Sequence, residues 1–279
     1  MDPSGPGNPW TFWLIASGLL GAVVGSFLNV VSHRLPRGES LLRPGSSCPA
    51  CKHPIRAWHN IPIVGWLLLG GRCFDCDAPF SIRYPAVEAG AAMLWMLVYL
   101  RLIPELETLL DEPLMLLTVV AYGSYFSALV AISLIDARHF IVPDVISLPL
   151  IPLGISLIAI LEQSGIGASS LPQSVLGALL GAGSMLALAG IGRLLMGREA
   201  LGMGDVKLVA AIGAWQGAHP TLLLCVFIAS LIGSAAGISY MAIHGRKRHL
   251  KLPFGPYLCL GALSSWLAGE QLMALLLGG

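Results

Sequence analysis

The sequence is poor in charge. Only 11% of its 279 residues are Asp, Glu, Lys or Arg, whereas 56% are hydrophobic and mean hydropathy is +0.78. No soluble core needs so much apolar sequence, so a water-soluble globular domain is excluded. The 16 Lys and Arg nearly balance the 15 Asp and Glu. They do not gather into a stripe interleaved with aromatics, so no nucleic-acid partner is expected. No G-x-S-x-G elbow or convincing Ser/His pair is present, which removes serine chemistry. A Gly-rich nucleotide loop following a strand is also missing. The start, Met1 to Pro9, lacks the basic region of a secretory signal, so the first apolar run reads as an uncleaved anchor. Internal repeats and low-complexity tracts are not visible.

What remains is membrane. Eight apolar runs have helical length or nearly so: 10–31, 86–103, 114–135, 145–161, 174–195, 206–218, 220–243 and 255–276. The sixth is short. With the N-terminus outside, the cytoplasmic segments are 32–85, 136–144, 196–205 and 244–254. Of the 16 Lys and Arg, all but Arg101 fall in or within a few residues of these segments. That bias is the positive-inside pattern and predicts an N-out, C-out topology. The expected fold is an all-α polytopic membrane protein of about eight transmembrane helices. Its domains are residues 1–31 (tail and first helix), 32–85 (a cytoplasmic loop) and 86–279 (a seven-helix membrane domain).

The loop carries Cys48-Pro49-Ala50-Cys51 and Cys73-Phe74-Asp75-Cys76. Two C-x2-C knuckles supply four thiolates, which match the tetrahedral preference of Zn²⁺. A disulfide framework is the rival reading, but the charge rule puts the loop in the reducing cytosol. A four-cysteine site is closed, so the expected zinc at Cys48, Cys51, Cys73 and Cys76 is structural. The run Ile61 to Leu69 is too short to span and reads as interfacial, with Trp58 and Trp66 near the headgroups. Cys225 and Cys259 fall inside apolar runs and read as packing residues. The GxxxG pairs Gly21/Gly25 and Gly177/Gly181 read as close-packing positions.

Two carboxylates stand out, because an ionisable residue at the edge of hydrocarbon marks a functional site by default. Asp136 ends the third run and opposes the helix macrodipole there. Asp205, in Gly202-Met203-Gly204-Asp205-Val206-Lys207, opens the sixth at the same depth. Brought together, the two can activate water for peptide hydrolysis. Asp144 lies at that depth too, but its position after Pro143 favours an N-cap. Lys207 divides evenly between a positive-inside anchor and a functional group, and Glu88 between a substrate contact and a structural hydrogen bond. Two rival classes are a membrane scaffold with a zinc docking loop and a proton-coupled transporter. The one-sided placement of the carboxylates argues against a relay across the membrane.

In chain order stand Gly25-Ser26-Phe27-Leu28-Asn29-Val30-Val31 with His33-Arg34-Leu35-Pro36, the two knuckles, Arg83-Tyr84-Pro85 with Glu88, Asp136 to Asp144, Gly202 to Lys207, and Pro253-Phe254-Gly255-Pro256-Tyr257. The chain therefore resembles the type IV prepilin peptidases, which are leader peptidase/N-methyltransferases related to the GxGD intramembrane aspartyl proteases. The resemblance covers nearly the whole chain. It implies a multi-pass protein of the bacterial inner membrane. Such a protein cleaves the leader of prepilins or type II secretion pseudopilins at the cytoplasmic face, then methylates the new N-terminus with S-adenosylmethionine. Asp136 and Asp205 match the catalytic pair, which shares a proton. Methylation rests on the resemblance alone, and it makes Gly70, Gly71 and Arg72, beside the second knuckle, candidates for the methyl-donor site.

Overall fold

The structure, a computed structural model, describes residues 8–112, 114–166, 169–196, 201–245 and 252–277. Parts of the expected connections 196–205 and 244–254 lie outside them. Among the described residues the protein is helical, with no strand and two isolated β-bridges. Ten α-helices follow in order: α1 (Pro9–Arg34), α2 (Val64–Leu68), α3 (Arg83–Leu102), α4 (Leu106–Asp111), α5 (Leu114–His139), α6 (Asp144–Gln163), α7 (Leu171–Met196), α8 (Met203–Gln216), α9 (Pro220–His244) and α10 (Gly255–Leu277). Seven of these are long and apolar enough to cross a membrane; α8 is not among them. At 14 residues it is about 21 Å long, short of a hydrocarbon core of about 30 Å. The chain divides into two compact units, residues 1–127 and 128–279.

In the first unit α1 and α3 lie antiparallel. Asn8 caps α1 by accepting the Trp10 N–H at 3.1 Å, and Pro9 occupies the first turn, where its missing N–H costs nothing. Trp10 Nε1 donates to the Ile103 carbonyl and Tyr99 Oη to the Trp10 carbonyl, joining the start of α1 to the end of α3. At the opposite end Arg83 Nη2 donates to Ser32 Oγ. The small stripe on α1 permits the contact: a Cβ on Gly21 would lie 2.6 Å from the Ala91 carbonyl oxygen, and one on Gly25 would lie 2.7 Å from the Glu88 Cα. Residues 35–82 then leave and return at one end of this pair.

The second unit is built around α8, whose residues from Leu208 to Trp215 are all buried. A helix apolar all round belongs at the centre. Gly177 of α7 meets Gly213 of α8 backbone to backbone, and a Cβ on Gly181 would lie 2.5 Å from the Val209 carbonyl, so these two run antiparallel. Trp215 Nε1 donates to the Leu150 carbonyl and its ring packs on Gly154, placing α6 parallel to α8. Gln216 Nε2 donates to the Ala262 carbonyl, and Cys259 Sγ to the Leu129 carbonyl, placing α10 parallel to α8 and antiparallel to α5. Each helix from α5 to α10 thus reverses its predecessor. The ends of α5, α7 and α9 and the starts of α6, α8 and α10 fall at one end of the bundle. The four glycines read as close-packing positions do pack closely.

Candidate active site and metal centre

Asp136 and Asp205 meet at that end. The sequence reading stopped the third helix at residue 135; α5 runs one turn further, and Phe140 closes it in the left-handed region (φ 55°), with its N–H on the Asp136 carbonyl at 2.9 Å. Asp136 is therefore inside the last turn and only 5% exposed. A buried carboxylate needs donors. One is the Gly255 N–H at the start of α10, 2.9 Å from Asp136 Oδ2. Gly255 leaves room for this approach, because a Cβ there would lie 2.8 Å from the same oxygen.

Asp205 stands in the first turn of α8, third from its start. Its own N–H donates to the Gly202 carbonyl at 3.1 Å, and its Oδ2 lies on the Gly202 side, 3.6 Å from where a Cβ on Gly202 would stand. The N-cap position of α8 is Gly202 and not Asp205. The Asp136 and Asp205 carboxylates are close enough to interact electrostatically, and both act on the Cys259 thiol behind them. Gly204 faces Val142, with 2.8 Å from a built Cβ to the Val142 side chain, which seats the start of α8 against the α5–α6 turn. Since α7 continues well past the level at which α8 begins, Asp205 is recessed within the helices.

The N-cap reading of Asp144 is corrected. Asp144 is the first residue of α6, its N-cap is Pro143, and no side-chain cap forms. The Asp144 carboxylate instead accepts both bonds of a bidentate pair from Lys207 Nζ, at 2.7 and 2.8 Å. Positions 205 and 207 cannot share a helix face, so Lys207 turns away from Asp205 and ties α8 to α6. Glu88 also has a contact: its Oε2 accepts the Ile63 N–H at 2.6 Å.

In the first unit the four loop cysteines form one cluster, with Sγ atoms within 4.8 Å of one another and the Cys48–Cys76 and Cys51–Cys73 pairs at 3.8 and 3.9 Å. A tetrahedron with Zn–S bonds of about 2.3 Å has edges of about 3.8 Å, so the spacing fits zinc. Both knuckles fold alike. The Cys48 N–H donates to the His53 carbonyl and the Lys52 N–H to the Cys48 carbonyl; Cys73, Ala78 and Asp77 repeat this pattern. Lys52 (φ 63°) and Asp77 (φ 54°) turn the chain in the left-handed region. The Cys51 amide helps hold the Cys48 thiol down to about 6. Although the Ala78 amide favours its thiolate, burial and the three neighbouring thiols push Cys76 up to about 12. Four thiolates at this spacing call for a cation between them.

The methyl-donor candidates Gly71 and Arg72 lie beside the second knuckle. Gly71 (φ 71°) lies against the Trp66 ring, where a Cβ would come within 2.7 Å, and Trp66 Nε1 donates to the Phe80 carbonyl. Neither Gly71 nor Arg72 lines the cavity of about 730 Å³ in this unit, whereas Trp66 does. Sequence reasoning missed Gly255 and Trp66. Both lie in or beside motifs quoted above, but no spacing reveals which atom a glycine makes room for.

A bundle of membrane-length helices with two recessed carboxylates and a separate four-thiol knuckle defines the class as a multi-pass membrane protein with the groups a peptidase site would use. Comparison with known proteins makes the family definite. Residues 19–102 match the Bacterial Peptidase A24 N-terminal domain and residues 123–238 the Type IV leader peptidase family. Among curated proteins, the prepilin leader peptidase/N-methyltransferase of Aeromonas hydrophila is 38% identical over 288 residues, covering 94% of this chain and 91% of that protein. The one from Pseudomonas aeruginosa is 36% identical over 282 residues, covering 91% and 90%. The one from Neisseria gonorrhoeae is 37% identical over 274 residues, covering 89% and 87%. The chain belongs to the prepilin leader peptidase/N-methyltransferase family. No solved structure matches it.

Proposed function

We propose that this protein cleaves the leader of type IV prepilins or type II secretion pseudopilins at the cytoplasmic face of the bacterial inner membrane, and then methylates the new N-terminus. The observation that carries the cleavage reading is that Asp136, held by the Gly255 amide, and Asp205 lie at the same end of the bundle, close enough to interact electrostatically. Two neighbouring carboxylates resist ionising together, so one is the base and the other, protonated, is the acid. The base takes a proton from water as its oxygen attacks the scissile carbonyl, and the acid protonates that oxygen. On collapse the C–N bond breaks and the leaving amine receives a proton from the pair. The Gly255 amide holds Asp136 in place, and because water attacks directly no covalent intermediate forms.

The positive-inside charge distribution and the alternation of α5 to α10 support an N-out, C-out chain in which α8 serves as a short eighth crossing. Residues 32–85 then lie in the cytosol, with a structural zinc on Cys48, Cys51, Cys73 and Cys76. Residues 86–279 carry out proteolysis. In the second reaction the lone pair of the new terminal amine takes the methyl of S-adenosylmethionine, the C–S electrons pass to sulfur, and the amine releases a proton. Co-expression with a candidate prepilin, followed by mass measurement of its N-terminus, tests both steps. Loss of the leader and gain of one methyl are expected; an unprocessed pilin with the enzyme inserted contradicts the reading.

A further inference from the structure

Helix α2 has two apolar faces. Gly65, Trp66 and Leu69 line the cavity beside α1 and α3, and the Trp66 Nε1 proton is taken by the Phe80 carbonyl. Val64, Leu67 and Leu68 stand on the other side, since successive helical residues turn by about 100° and these three fall within an arc of about that size. That side is open. Leu67 is 62% exposed and Leu68 74%, and Trp58 and Ile61 just before the helix are exposed as well. A contiguous apolar patch of this kind marks an interaction surface.

Its depth identifies what covers it. The Ile63 N–H, one residue before α2, donates to Glu88 Oε2, and Glu88 stands five residues, about 7.5 Å, inside the start of α3. Gly25 of α1 packs on the Glu88 Cα, and to either side of Gly25 the side chains of Val23 and Phe27 are exposed. On a helix of membrane-spanning length such apolar side chains face lipid. Ser26 and Val30 of α1 line the same cavity as the inner face of α2. The start of α2 therefore lies beside the last turns of the spanning helices, inside the level of Arg34 and Arg83.

The backbone there is prepared to leave water. The Val64 N–H closes a tight turn onto the Pro62 carbonyl at 2.6 Å, through Ile63 at φ 64°, ψ −53°. The amides of Gly65, Leu67, Leu69 and Gly70 donate to the carbonyls of Ile61, Ile63, Gly65 and Leu67. A segment whose amides are satisfied internally can enter a medium that offers no hydrogen bonds. The turn at Ile63 is strained for a β-branched residue, and the Glu88 carboxylate that takes its amide holds it.

We propose that the outer face of α2, with Trp58 and Ile61 before it, is inserted into the headgroup–acyl boundary of the nearer bilayer leaflet. Apolar helix faces seated in this way reach roughly 5–10 Å into the boundary. The connection between α1 and α3 is then a membrane-seated segment and not a free loop. Trp58 keeps the headgroup position expected from the sequence, whereas Trp66 turns inward and Val64, Leu67 and Leu68 take its place. Cys73 follows α2 closely in the chain, so the seating also holds the second knuckle at the membrane surface. The inference concerns the placement of residues 57–69 alone, and it stands or falls independently of the cleavage and methylation readings.

The full-length enzyme in lipid nanodiscs tests it. A nitroxide carried on an unnatural amino acid, which spares the loop cysteines, is placed at Leu67, at Leu68 and, as the hydrocarbon reference, at Val23. Collisions with dissolved oxygen, which concentrates among the acyl chains, should exceed those with a water-soluble nickel chelate at all three positions. An excess of nickel collisions at Leu67 or Leu68 would put α2 in water and overturn the proposal. Shielding from both reagents would make a protein surface the occupant and overturn it equally. The unmutated enzyme supplies an arm free of folding effects: a phospholipid carrying a diazirine near the glycerol end of its acyl chain should label peptides within residues 57–69 as well as those of α1. Label on α1 with none in 57–69 refutes the seating.

Discussion

Gly255→Ala is the sharpest perturbation of the peptidase site. Gly255 is the first residue of α10, and its φ is not in the left-handed region, so alanine suits the backbone. The nearest obstacle is Asp136. The new methyl would lie 2.8 Å from Asp136 Oδ2, 3.2 Å from Cγ and 3.3 Å from Cβ, where ordinary contact begins near 3.4 Å. The carboxylate must therefore retreat by about 0.6 Å, or α10 must shift, at a typical overpacking cost of about 1–3 kcal/mol. Since a misplacement of about 1 Å in a catalytic group can cost about a hundredfold, leader cleavage should fall by about tenfold to a hundredfold. The assay is kcat/KM on a purified prepilin in detergent, with thermal stability measured on the same samples. The gain in helix propensity at an N-terminal turn is too small to offset the loss. Cleavage within twofold of the parent, with the fold intact, would refute the idea that the Gly255 amide positions Asp136.

Elemental analysis of the purified chain should find about one zinc, and Cys48→Ser or Cys73→Ser should lower that content and raise proteolytic sensitivity within residues 35–82. Gly71→Ala, at φ 71° and under the Trp66 ring, should weaken methylation of a pre-cleaved peptide more than leader cleavage, measured side by side on one preparation. The Lys207–Asp144 pair is partly exposed, so a double-mutant cycle with Lys207→Gln and Asp144→Asn should return a coupling of about 1 kcal/mol or less. Asp144→Asn should retain measurable cleavage; its complete loss would place Asp144 in the reaction.

The helices and the clustering of the four loop cysteines were legible in the sequence because each is written locally. Apolar runs of bilayer length define α1, α3, α5, α6, α7, α9 and α10, and C-x2-C spacing brings two thiols together at a time. That Asp136 and Asp205 lie near each other was legible for a related reason, as few charges interrupt the apolar sequence. What escaped were contacts between distant segments. Asp144 after Pro143 has the local signature of a cap, yet the Lys207 ammonium wins its carboxylate because α6 and α8 run parallel and side by side. Glu88 carries no sequence sign of reaching a strained turn at Ile63. The two knuckles form a backbone repeat that the side chains conceal, since Lys52 and Asp77 occupy equivalent left-handed positions with opposite charge. Gly255 and Gly71 were within view, but their partners Asp136 and Trp66 are assigned by packing.

The central claim is that Asp136 and Asp205 together hydrolyse the leader peptide. Its most direct test is cleavage of a prepilin by Asp136→Asn and Asp205→Asn, each shown to be inserted and folded, with the pilin N-terminus read by mass spectrometry. Both variants should leave the leader attached, and Asp136→Asn should still methylate a pre-cleaved peptide with a free N-terminal Phe. Leader removal at the parental rate by either variant would contradict the aspartyl mechanism.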